Sequence, residues 1–155
     1  MNAAIAATWT KENIGQEALD FLNTLEPADE SHAIGLYHAS PRDPVWEYVL
    51  STMLADACMN VMGPRVGAVG HSHVALYFWR QAAGAIAGEH APGGTELDLS
   101  KGDWIINPGG VGQPRDGDPR AAWSTRSTTP RARSSRPGCL SRCRTASTTA
   151  SDAPT

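Results

Sequence analysis

The sequence predicts a mixed α/β (α+β) fold in which helices and strands alternate along the chain. Three observations predict it. Apolar residues recur at helical spacing from Gln16 to Leu25 and again from Val45 to Met62. Short apolar runs at Ala33–His38, Val66–Val69, Val74–Arg80 and Trp104–Asn107 read as strands bounded by turn residues. The stretch 124–155 shares neither pattern.

In order along the chain, Ala3 to Thr10 is alanine-rich and predicts a helix, with Trp9 and the alanines toward the core. Thr10 is expected as an N-cap before Lys11-Glu12-Asn13 and a turn at Gly15. Gln16–Leu25 is a second helix, with Ala18, Leu19, Phe21, Leu22 and Leu25 on one face, ended by Pro27. Ala33–His38 is a short strand with His38 at its end. Ser40-Pro41-Arg42-Asp43-Pro44 is a turn in which Asp43 caps a helix opened by Pro44. That helix carries Val45, Tyr48, Val49, Met53, Leu54, Ala57, Cys58, Val61 and Met62 as a core stripe and closes at Gly63-Pro64. Val66–Val69 follows as a buried strand, then Val74–Arg80 as another. Gln81–Gly94 reads as a hairpin loop with a ragged second strand, and His90, like His32, as an exposed loop residue. Leu97–Leu99 and Trp104–Asn107 are strands around a tight turn at Lys101-Gly102-Asp103, and Ala121-Ala122-Trp123 begins a further strand.

The 155 residues suit one ordinary domain. Hydrophobic content is 41% and aromatic content 6%, and no apolar run approaches the ~20 residues of a membrane span. Neither a membrane partner nor a secretory signal is expected, and a cytoplasmic location follows by default. Cys58, Cys139 and Cys143 form no even, regular framework. Cys58 reads as a small buried residue; Cys139 and Cys143 have no second pair with which to complete a four-ligand site.

The most informative motif is Gly70-His71-Ser72-His73, directly after the Val66–Val69 strand. In an extended segment, residues at i and i+2 lie on one side, so His71 and His73 are expected to converge. Gly70 permits a sharp turn and close approach of the backbone. Neutral imidazoles are ligands for Zn, Fe, Ni and, less well, Mn. His38, at another strand end, reads either as a third ligand or as a turn histidine bonded to nearby backbone.

Three segments in order resemble the C-terminal half of the calcineurin-like metallophosphoesterases: Leu36-Tyr37-His38-Ala39-Ser40-Pro41-Arg42-Asp43-Pro44, Gly70-His71-Ser72-His73, and the run from Asn107 to Arg120 that opens Asn107-Pro108-Gly109-Gly110-Val111-Gly112-Gln113-Pro114-Arg115. Within that family they are most similar to the compact bacterial branch of YfcE-like phosphodiesterases and protein-phosphatase-like enzymes. The resemblance runs from about Ala3 to Trp123. It implies a β-sandwich of mixed sheets flanked by helices, a two-metal centre at the strand ends, and hydrolysis of a phosphate mono- or diester on a small molecule or phosphoprotein. Carried over residue by residue, it makes His38, His71 and His73 metal ligands. Asn107, Gly109 and Arg115 would shape the substrate pocket, and for Arg115 an ion pair with Asp116 or Asp118 is an equal expectation.

The family's Asp-x-His, Gly-Asp-x-x-Asp and Gly-Asn-His motifs have no counterpart here. The expectation is therefore that residues 1–123 form the C-terminal portion of such a domain, that no catalytic residue is assignable, and that the chain alone is an incomplete, inactive fragment. The alternative is a non-catalytic protein that binds metal or pairs with another chain. Residues 124–155 are rich in Ser, Thr, Arg and Pro, with Leu140 the one large aliphatic residue. Such a composition predicts disorder, and its resemblance to GC-rich codons read out of frame suggests a frame change near Ala122–Ser124. The six arginines from Arg126 to Arg144 could also form a basic arm, but no aromatic residue accompanies them to stack on bases, so a nucleic-acid partner is not expected. The sequence is silent on oligomeric state.

Overall fold

The computed structural model describes residues 3–81, 84–113, 115, 117, 120–127 and 142–148. The fold is mixed α/β. Two helices come first, α1 (Ala3–Asn13) and α2 (Gln16–Leu22), then strands β1 (Ala28–Asp29) and β2 (Gly35–Tyr37), helix α3 (Thr52–Met59) and strand β3 (Val66–Val69). Strands β4 (Leu76–Arg80), β5 (Ile86–His90), β6 (Glu96–Asp98), β7 (Asp103–Asn107), β8 (Ala121–Ser127) and β9 (Arg142–Thr148) follow.

A six-stranded sheet has the order β1-β2-β3-β7-β4-β5, and a three-stranded sheet the order β6-β9-β8. The strands β2, β3 and β7 run parallel to their neighbours in that trio, while β1, β4 and β5 pair antiparallel. The C-terminal ends of three adjacent parallel strands therefore open on one rim, the usual place for a site in such sheets.

Side chains alternate across the large sheet, as strand geometry requires. Val69, Leu76, Phe78 and Ile105 join Ala55, Cys58 and Met59 of α3 in one buried cluster. Val66 and Ile106 face the other way and pack with Leu97, Leu99 and the half-buried Trp104 and Tyr77. Arg80 ties α3 to the sheet: its guanidinium reaches Asp56 at 2.9 Å, Asn60 at 2.6 Å and Asp103 at 3.0 Å.

Several elements differ from the sequence expectation. Thr10 lies inside α1, not at a cap, and Trp9 is 64% exposed rather than facing the core. The helix expected over 45–62 is confined to Thr52–Met59, because the Ser51 hydroxyl accepts the Leu54 N–H and starts it there. Asp43 does accept the N–H groups of Val45 and Trp46, but that cap serves a turn. From the stripe, Val45, Tyr48, Met53 and Val61 are exposed, while Val49 and Cys58 are buried. Gln81–Gly94 contains a proper strand, β5, paired with β4 from Leu76↔His90 to Arg80↔Ile86.

Two segments of the stretch from residue 124 lie among the described residues. Residues 124–127 continue β8, and Arg142–Thr148 forms β9, which pairs with β8 and with β6. Sheet pairing satisfies backbone groups whatever the side chain, so a polar segment can join a sheet. The remainder of the tail, Cys139 and Leu140 included, lies outside the described residues. Among the described residues no helix is long and apolar enough to cross a membrane.

Candidate functional site

His38 follows β2 directly, His71 and His73 follow β3, and Asn107 ends β7. The parallel trio thus delivers all four residues to one rim. The loops are sewn together by the backbone: Gly70 N–H donates to the His38 carbonyl at 3.1 Å. A Cβ on residue 70 would stand 3.0 Å from that same oxygen, which accounts for glycine there. The His38 and His71 rings lie 5.0 Å apart between centroids, tilted by 57°.

The extended geometry expected for Gly70-His71-Ser72-His73 is not what forms. His71 has φ 61° and His73 φ 58°, both in the left-handed region that non-glycine residues rarely occupy. Ser72 N–H closes a tight turn onto the Gly70 carbonyl at 2.6 Å. Both imidazoles are therefore presented by a turn rather than by an extended segment, and strained backbone of this kind persists only where the surroundings fix it.

Asn107 is what fixes it. Its side-chain amide is buried and donates to the Gly70 carbonyl at 2.8 Å and to the Ser72 hydroxyl at 2.9 Å. Its side-chain oxygen accepts the Gly109 N–H at 3.0 Å. Asn107 therefore braces the histidine turn from the adjacent strand. Gly109 has φ 106° and turns the chain beneath that brace.

His73 has a defined tautomer. Its Nδ1 lies 2.7 Å from the Gln113 carbonyl oxygen, which can only accept, so Nδ1 is the donor and Nε2 is the nitrogen whose lone pair the neutral ring offers. His71 is held below the ordinary imidazole pKa, first by burial and then by the neighbouring His38, Arg115 and His73, with Asp43 opposing. Neutral imidazoles of this sort are the form that binds metal. The donors thus fit a divalent cation in kind. In their present positions they do not surround one point: among the described residues no group of three or more His, Cys, Asp or Glu is set to hold an ion.

Arg115 reaches the same place from the Gln113 loop and donates to the Tyr48 hydroxyl at 3.3 Å. Asp116 and Asp118, its expected ion-pair partners, lie outside the described residues. Tyr48 in turn stacks on His71, with ring centroids 4.3 Å apart and planes within 19°. Tyr48, Ser72 and Gln113 are the site residues that sequence reasoning missed. Ser72 and Gln113 lie inside the motifs that carry the resemblance, and Tyr48 lies in the part of the expected helix that is not helical. His38 also lines a groove of about 770 Å³ bounded by Leu25, Pro27 and Leu36. A larger cleft of about 950 Å³, with Tyr77, Trp79 and Trp104 in its wall, lies away from the histidines.

No protein-family model matches the chain. It is 38% identical over 125 residues to an uncharacterized protein of Methanocaldococcus jannaschii, a match that takes in 77% of this chain and 48% of that protein. Among solved structures it is similar to a metallophosphoesterase from Sphaerobacter thermophilus, with a TM-score of 0.69 and 30% identity, over 96% of this chain and 60% of that one. The chain thus spans about half the length of the curated relative it matches. The fold is metallophosphoesterase-like.

Proposed function

We propose that this chain carries the imidazole side of a phosphoesterase centre, in which His38, His71 and His73 hold divalent metal and the Arg115 loop faces the phosphate ester. The observation that supports the reading most directly is the gathering of these residues on one rim of parallel strands, in a fold similar to that of a metallophosphoesterase. When bound, a divalent ion in such a centre polarises phosphoryl oxygens and lowers the pKa of a bound water. Of the chain's own residues, His73 offers Nε2, His71 stays neutral near pH 7, and Asn107 holds both on their turn. The ion is Mn, Fe, Zn or Ni on donor type, and the substrate a phosphate mono- or diester, either a small molecule or a phosphoprotein. The proposal includes the compact bacterial branch of the family and a cytoplasmic setting.

Two ions held close together need negative charge between them. Asp43, the carboxylate whose charge reaches His71, has its Oδ1 committed to the N–H groups of Val45 and Trp46. We therefore read the described site as suited to a single ion and expect no turnover from the chain by itself. The test is equilibrium binding of manganese, together with an assay on an aryl phosphate monoester and its diester. Manganese binding lost in His71→Ala, with no turnover, is the expected result. No manganese binding by the unaltered chain would overturn the metal assignment, and manganese-dependent turnover abolished by His71→Ala would overturn the expectation of inactivity.

A further inference from the structure

We infer that Tyr48 has two separable tasks at this site: its ring positions His71, and its hydroxyl works with Arg115 to bind a phosphoryl oxygen. The inference deepens the proposed phosphoesterase reading and rests on it for the identity of the ligand. Three observations carry it.

First, Tyr48 is fixed in place although its own segment is neither helix nor strand. On one side, the Glu47 carboxylate accepts the Ser40 hydroxyl at 2.6 Å; on the other, Val49 is 2% exposed and belongs to the main core. Anchors at both neighbours hold the tyrosine at the surface, where it remains 39% exposed.

Second, the ring lies flat on His71, at 4.3 Å between centroids. His71 occupies a left-handed backbone conformation and its ring is free to turn about its side-chain bonds unless something limits it. A stacked ring on one face, with His38 at 5.0 Å, limits that rotation and leaves the imidazole edge available.

Third, the Tyr48 hydroxyl meets the Arg115 guanidinium at 3.3 Å, a long contact on an exposed pair. A phenol O–H and a planar guanidinium side by side are donors to one anion, and a guanidinium can grip two phosphoryl oxygens at once. The weak contact between them costs little to replace. A phosphate ester bound at the imidazoles would present one of its phosphoryl oxygens to this couple.

The experiment uses the full chain and two probes, inorganic phosphate and manganese, each measured by equilibrium titration. Tyr48→Phe keeps the ring and removes the hydroxyl; Tyr48→Leu removes both; Arg115→Ala removes the guanidinium. Phosphate affinity is expected to fall about fivefold in Tyr48→Phe and about tenfold or more in Arg115→Ala. Manganese affinity is expected to hold in Tyr48→Phe and to fall in Tyr48→Leu. Thermal melts of the three variants, at two exposed positions, are expected to match that of the parent. Phosphate binding that is absent, or indifferent to both Tyr48→Phe and Arg115→Ala, overturns the hydroxyl's role. Manganese affinity unchanged in Tyr48→Leu overturns the ring's role. If the unaltered chain binds phosphate through Tyr48 and Arg115 but binds no manganese, the metal assignment fails and the anion-binding couple stands.

Discussion

Asn107 and Ser72 are joined by a 2.9 Å hydrogen bond between two buried side chains that stand 35 residues apart in sequence. Through this bond, and a second from the same amide to the Gly70 carbonyl, the end of β7 dictates the shape of the turn that carries His71 and His73. The brace is polar and enclosed, so it is costly to break on one side only.

Asn107→Ala is expected to destabilise the chain by about 2–3 kcal/mol, since it removes the buried hydrogen bonds to the Gly70 carbonyl and the Ser72 hydroxyl and takes the side-chain acceptor from the Gly109 N–H. Urea unfolding followed by tryptophan fluorescence checks this. The same variant should weaken manganese binding, because the left-handed conformations of His71 and His73 lose their support. Unchanged stability and unchanged metal affinity together would mean that Asn107 is not the brace.

Arg80 offers a test of how the helix is held to the sheet. One guanidinium serves Asp103 on β7 and both Asp56 and Asn60 at the end of α3. Arg80→Met keeps much of the aliphatic stem, takes the cation from Asp56 and leaves Asp103 only the longer 3.6 Å pairing with Arg65. A loss of about 1–3 kcal/mol is expected, read as a lower urea midpoint with an unchanged slope. A variant as stable as the parent would show that α3 is held by its apolar face alone.

Much of the site was legible in the sequence because its parts are local. Val66–Val69 followed by Gly70 marks a buried strand and a turn, and His38 sits at the end of another apolar run; the structure places both as expected. What was not legible depends on partners distant in sequence. Nothing near Asn107 indicates that its amide turns inward to Gly70 rather than toward a pocket. Nothing in the spacing of Val45, Tyr48 and Val49 distinguishes a helix from an extended segment whose alternate residues are buried and exposed. The start of α3 was decided by Ser51, a cap within a run whose periodicity had already suggested helix. The pairing of Arg142–Thr148 with Glu96–Asp98 is likewise a long-range backbone match with no compositional signature.

Cys58 is predicted to be inert. It is fully buried, and burial, followed by the nearby Glu47 carboxylate, pushes its thiol pKa up to about 11. The thiolate is the reactive form, so at pH 8 only a very small fraction is available. In a Cys139→Ser, Cys143→Ser background, a disulfide-forming thiol reagent should react slowly in the native chain and rapidly in urea. Fast native reaction would contradict the packing of α3 against the sheet.

His71 makes folding sensitive to mild acid in the metal-free chain. Burial, then the like charges of His38, Arg115 and His73, lower its folded pKa below the ordinary value near 6.5 that it regains on unfolding. Between the two values the unfolded chain binds more protons, so stability rises with pH there. The contribution is fully present above about 6.5, is lost as pH falls from there to the folded pKa, and is constant below it. Urea midpoints measured at pH 7.5, 6.5 and 5.5, as about evenly spaced points across this window, should decline in the parent. His71→Asn should flatten that decline. An equal decline in both would assign the acid sensitivity to other groups and leave His71 as an ordinary surface imidazole.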